Sequence, residues 1–206
     1  MLAGYHLRTV YNAVDLEIFR FHPPSADHSS PCVGMVARLD RIKDHACLLA
    51  AWEIVKRQVP HATLELAGEG PLKSHLQELA AGLKISASVR FLGRVEDIPS
   101  LLKGWRVAIH ATTQAEGFGI SMVEAMAIGC PLVATDVAAA REVTNGGEVA
   151  RLVPEGDAES LASEIVRLIK EPRLAECLAV EGRKWIESRF SPPLMVKGYL
   201  DALGLG

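Results

Sequence analysis

Apolar runs of strand length alternate with stretches of helical periodicity along most of the chain. Residues 32–37 (CVGMVA) predict a strand, and the apolar spacing that follows predicts a helix over 44–58. The pattern repeats: strand 63–67 (TLELA), helix 71–81, strand 89–92, a helical turn at 99–103, and strand 107–111 (VAIHA). A glycine turn then leads into a helix over 121–128, and strands follow at 131–135 (PLVAT) and 149–153 (VARLV). Residues 158–170 carry a clear 3.6-residue apolar period, and 174–203 read as helical with a break at Pro192-Pro193. Alternation of this kind predicts an α/β fold: a Rossmann-like, doubly wound parallel sheet with helices on both faces. The Pro- and Ser-rich stretch at 20–31 (RFHPPSADHSSP) reads as a linker. The expected division is a leader and linker over 1–30, one α/β domain over 31–189, and a helical tail over 190–206.

Composition narrows the classes. With 206 residues, 49% of them hydrophobic and 23% charged, the chain is able to bury a substantial core. A net charge of -3 and a pI near 6.2 argue against a nucleic-acid partner, which calls for a basic face. No apolar run approaches the roughly 20 residues of a membrane span, and MLAGYHLRTV lacks the apolar core of a secretory signal. Cys32, Cys47, Cys130 and Cys177 form no C-x-x-C pair, so core thiols in a reducing, cytoplasmic compartment are expected. The seven histidines form no H-E-x-x-H or Cys/His cluster, so no structural metal is expected; a resident cofactor is not expected either.

The most informative segment is EGFGISMVE, Glu116 to Glu124. It sets two carboxylates eight positions apart, around a Phe-Gly-Ile-Ser turn that opens a predicted helix. Unpaired N–H groups and the partial positive charge of a helix start suit phosphate, while flanking carboxylates suit sugar hydroxyls. A structural alternative stands beside this reading: Ser121 to Glu124 also matches an S-x-x-E capping box. Ligands of an open parallel sheet bind beyond the carboxyl ends of its strands, where the other polar loops also fall. ARLDRIKDH, residues 37–45, places Arg38, Arg41 and Lys43 at a helix start, where the macrodipole disfavours each cation by about 0.3–1 kcal/mol. Arg38 and Lys43 are therefore candidate anion ligands, with a face neutralised by Asp40 and Asp44 as the alternative. Gly68-Glu69-Gly70 marks a tight turn and is no dinucleotide fingerprint, because the third glycine is missing.

ARLDRIKDHACLLAAW, LAGEGPLK, VRFLGRVEDIPSLL, EGFGISMVEAMAIGCPLVATDV and ARLVPEGDAESLASEI, in that order, resemble the C-terminal half of the retaining E-x7-E (family 4) glycosyltransferases. Tyr11 to Asp15 (YNAVD) with Phe19 is similar to the segment that enters this half. The resemblance runs from about Val33 to Ile169 and implies one half of a GT-B architecture that binds a UDP-, GDP- or ADP-linked sugar without metal. It implies that Arg38 and Lys43 contact the donor diphosphate and that the backbone of Phe118, Gly119 and Ile120 holds it at the helix start. Glu124 would bind ribose, Glu116 the transferred sugar, and Gly93, Arg94 and Val95 would lie along the base. Arg38, Lys43 and Glu116 are the catalytic candidates on this basis.

Departures from the family pattern are Ala13 in place of a glycine, and Ala138-Ala139-Ala140 where glycines are usual. The latter puts the placement of Arg141 and Glu142 in question. The family's N-terminal acceptor domain, its route to any peripheral membrane contact, has no counterpart in these residues, so the isolated chain is expected to be inactive. Other readings are a nucleotide-binding subunit needing a separate acceptor-domain partner, and a GT-B phosphorylase or epimerase relative. A glycoside hydrolase using Glu116 and Glu124 is a further alternative, needing carboxylates roughly 5–9.5 Å apart. His110, in an apolar strand, reads as a satisfied core histidine.

Overall fold

Six short strands build one sheet: β1 (Cys32–Val36), β2 (Thr63–Ala67), β3 (Val89–Gly93), β4 (Val107–His110), β5 (Leu132–Thr135) and β6 (Arg151–Val153). The computed structural model describes residues 8–24 and 30–205; the remainder of the expected leader and linker lies outside the described residues. All neighbouring strands pair in parallel, in the order β3-β2-β1-β4-β5-β6. This is the doubly wound, Rossmann-like arrangement expected from the hydrophobic pattern. Its direction reverses between β1 and β4, which opens a crevice at their carboxyl ends.

Helices cover both faces, so the central strands are apolar on both sides; every residue of β4 and β5 is buried. Side chains alternate between two cores. Val33, Met35, Val107, Ile109 and Val133 face a cluster built with α1 (His45–Gln58), α2 (Lys73–Gly82) and α6 (Ala158–Lys170). Ala108, Leu132 and Ala134 face the other cluster, built with α3 (Ile98–Lys103), α4 (Ile120–Ile128), α5 (Ala138–Val143) and α7 (Pro172–Arg189). Aspartates start three of these helices: Asp44, Asp97 and Asp157 each accept the backbone N–H three residues on.

The tail differs from expectation in one respect. The break falls at Phe190-Ser191, and the two prolines begin α8 (Pro192–Leu203) instead of interrupting a helix. Proline is tolerated in a first turn because the N–H it lacks has no intrahelical acceptor there. α8 buries none of its residues, whereas α7 buries Ala175, Leu178, Ala179, Gly182 and Ile186. The described part of the leader packs onto the domain. Val14 and Phe19 enter the second core, the Val14 N–H donates to Phe190 O at 2.9 Å, and Arg183 Nη1 donates to Phe19 O and Ala127 O. Among the described residues, no helix is long and apolar enough to cross a membrane.

Candidate functional site

The loops after β1 and β4 meet at the crevice and are stitched together. Asp44 N–H donates to Ala111 O (3.1 Å), Thr113 N–H to Ile42 O (3.0 Å), and Thr112 Oγ1 to the same Ile42 carbonyl (3.1 Å). Asp40 bends the first loop by accepting the N–H groups of Ile42 and Lys43 on Oδ1, an Asx-type turn. The bend carries Lys43 across to the second loop, where its ammonium pairs with Glu116 Oε2. Both side chains are largely buried, 17% and 10% exposed.

Glu116 is held by more than Lys43. His110 Nε2 lies 2.9 Å from the same Oε2, and the Gly117 N–H donates to Oε1 at 3.0 Å. The hydrogen bond from His110, outweighing the cost of burial, joins the Lys43 contact to bring the Glu116 pKa down to about 2. Burial pushes the His110 pKa down. A neutral imidazole beside an acceptor-only carboxylate must carry its hydrogen on Nε2. Nδ1, 3.2 Å from Ser121 Oγ, then accepts the hydroxyl hydrogen.

α4 begins on Gly119, whose φ of 77° is left-handed. That backbone angle favours glycine, and a Cβ there would also crowd the buried His110 ring, 3.1 Å from Nε2. Among the described residues, no side chain caps α4. The capping-box alternative is thereby corrected: the helix starts at Ile120, Ser121 is already inside it, and its hydroxyl turns to His110. Glu124 makes no side-chain hydrogen bond or ion pair among the described residues, and desolvation raises its pKa.

Arg38 remains exposed, with Nε 3.4 Å from Asp40 Oδ2. It lines a cleft of about 340 Å³ with Val36, Gly68, Glu69, Arg94 and Val95. The cleft floor is backbone: Gly68 N–H donates to Gly93 O at 2.7 Å, and a Cβ on Gly68 would strike Ala37 O at 1.9 Å. The structure thus gathers Arg38 with Arg94 and Val95. Lys43 instead lines a neighbouring cleft of about 570 Å³ with Asp40, Arg41, Asp44, His75 and Thr113. Phe118, given only a backbone role from sequence, also uses its ring. It lies 6.4 Å from Tyr11 and 5.8 Å from Phe190, centroid to centroid, which ties the Glu116 loop to the leader and to the end of α7. The three alanines after β5 open α5, which lets Arg141 pair with Asp136 (2.6 Å) and Glu142 accept the Tyr11 hydroxyl (2.5 Å).

His110 is buried and satisfied, as its apolar strand suggests, but its partners, Glu116 and Ser121, stand on either side of the glycine turn. Sequence reasoning left it out of the site. The available signal was an imidazole closing an apolar strand six residues before Glu116.

Comparison with known proteins gives the class. The family model described as glycosyl transferases group 1 matches residues 30–171, and the chain belongs to that family. It is 35% identical over 165 residues to the putative glycosyltransferase EpsD of Bacillus subtilis, covering 80% of this chain and 43% of that protein. The chain spans about two fifths of that relative's length. Its fold matches Anabaena HepE solved with UDP and glucose, with a TM-score of 0.85 and 24% identity over 96% of this chain and 56% of HepE. It also matches the C-terminal domain of the group 1 glycosyltransferase LpcC from Francisella tularensis, with a TM-score of 0.75 and 22% identity over 87% of this chain and 99% of that domain.

Proposed function

We propose that this chain is the C-terminal, donor-binding half of a retaining glycosyltransferase of GT-B architecture. The observation that carries the reading is the set of Lys43, Glu116 and His110 gathered at the β1/β4 switch point, beside an α4 start that no side chain caps. Cation, carboxylate and open helix start are the parts a nucleoside-diphosphate sugar requires. Arg38 and Lys43 take the diphosphate, with the backbone of Phe118, Gly119 and Ile120 at its centre. Glu116 binds the transferred sugar and Glu124 the ribose, whose hydroxyls satisfy a half-buried carboxylate without a side-chain partner among the described residues. Arg94 and Val95 border the base in the cleft that Arg38 lines, with Gly93 next to them and bonded to Gly68 on its floor.

In transfer, charge grows on the departing diphosphate as the bond to the sugar breaks. Two cations and the helix dipole stabilise that charge, so metal is not required. The acceptor enters from an N-terminal domain outside these residues, which also makes any peripheral membrane contact; the isolated chain is inactive, and the intact enzyme works in the cytoplasm. The domain spans residues 31–189, and the tail over 190–206 crosses to that partner domain. Three features support this division: the chain spans less than half of EpsD, α8 buries nothing, and LpcC is matched over almost its whole C-terminal domain. The same features suit a second reading, a natural subunit that meets its acceptor domain as a separate chain. Transfer restored on mixing with an N-terminal half would favour it.

The test of the donor site is the Arg38→Ala, Lys43→Ala double variant. Loss of two charge-assisted contacts of roughly 1.5–3 kcal/mol each predicts at least a hundredfold weaker nucleotide binding by calorimetry. Unchanged affinity would refute the phosphate assignment.

A further inference from the structure

His110 closes β4 with 1% of its surface exposed. A buried imidazole is tolerated when both nitrogens find partners. Here one partner precedes the glycine turn and the other follows it: Glu116 Oε2 at 2.9 Å and Ser121 Oγ at 3.2 Å. Gly119 packs directly against the ring, where even a methyl group would be too close. The imidazole therefore forms the floor of the turn and fastens both of its ends.

Glu116 Oε2 has two side-chain partners, and only one of them is removable. Lys43 is exchangeable, because a donor diphosphate competes for its ammonium. His110 is not, because it is enclosed in the core. We propose that His110 is a positioning residue, the anchor that keeps Glu116 ionised and fixed when a bound diphosphate draws Lys43 away. Oε1, which among the described residues accepts the Gly117 N–H alone, then stays free to accept a sugar hydroxyl. Ser121 sets the tautomer by donating to Nδ1, which leaves the Nε2 hydrogen aimed at the carboxylate. This role rests on the donor-binding reading above. It makes a specific demand: His110 governs recognition of the sugar and not of the nucleotide, which Glu116 does not touch.

The experiment compares UDP, GDP and ADP with their hexose-linked forms, titrated into wild type, His110→Leu and His110→Gln. Whichever nucleotide binds wild type, His110→Leu is expected to hold it within about twofold. The additional affinity contributed by the hexose should fall about tenfold, the effect of losing a hydrogen bond to a charged group. His110→Gln, which keeps a side-chain N–H, should recover most of it. An equal loss for bare and sugar-linked nucleotide, or an intact sugar contribution in His110→Leu, would overturn the role. Should His110→Leu fail to fold, nitrogen-15 NMR of the wild-type ring decides the matter. A hydrogen on Nε2 with Nδ1 bare at neutral pH is required, and the opposite tautomer or a doubly protonated ring overturns the proposal. If no nucleotide binds the wild-type chain, the donor reading itself fails, and this role with it.

Discussion

Glu116 closes the loop after β4 with Lys43, His110 and the Gly117 N–H around it, whereas Glu124, eight residues on and inside α4, has no side-chain partner among the described residues. The first carboxyl is driven down to a pKa of about 2 by hydrogen bonds; the second is pushed above its ordinary value by burial alone. One motif thus holds a carboxylate organised by its neighbours and another whose charge is disfavoured by burial. The lesson is that a spacing motif fixes where two groups stand, while the packing around each decides whose ionised form the fold favours and whose it disfavours.

The contrast breaks most visibly at its cation. Lys43→Ala removes one partner of a largely buried pair and should lower unfolding free energy by on the order of 2 kcal/mol in urea titrations. Arg38→Ala, at an exposed side chain facing only Asp40, should change it by no more than about 0.5 kcal/mol while still weakening nucleotide binding. Equal losses of stability would mean that Lys43 is not held as described.

The acid limb of stability is the next effect in size. The folded pKa of Glu116, about 2, lies below its ordinary 4.5, so its ionised form is favoured by folding. That contribution is present in full above about pH 4.5 and is lost as pH falls toward about 2. Acid titration of Glu116→Gln should show this part of the slope removed, and an unchanged slope would refute the three-donor account.

Glu124→Gln should act in the opposite sense and by the smallest amount. The amide removes a desolvated charge, so the empty protein should melt slightly higher, while nucleotide affinity falls about tenfold through loss of charge-assisted bonds to ribose. A lower melting temperature would show that Glu124 already has a partner in the empty fold.

Much of this architecture was legible because strand and helix periods differ so plainly, and every sheet strand was anticipated to within two residues. α5 escaped because AAAREV is too short to display a period. The proline break was misplaced by two residues, since Pro192-Pro193 is equally compatible with the start of a helix. In the site, local motifs misled where backbone conformation took over. The left-handed Gly119 starts α4 one residue early and moves Ser121 out of any capping position. The turn at Asp40 sets Arg38 and Lys43 along two clefts, a placement that needs the backbone path and is not visible in their spacing. His110 was legible as buried, but its partnership with Glu116 needs the three-dimensional loop.

The most direct test of the donor-site claim is calorimetric titration of this chain with UDP, GDP and ADP, first in EDTA and then with magnesium. The account predicts that one nucleotide binds with the same affinity in both, and that Lys43→Ala weakens it. Binding that appears only with magnesium, or no binding by any of the three, would contradict it.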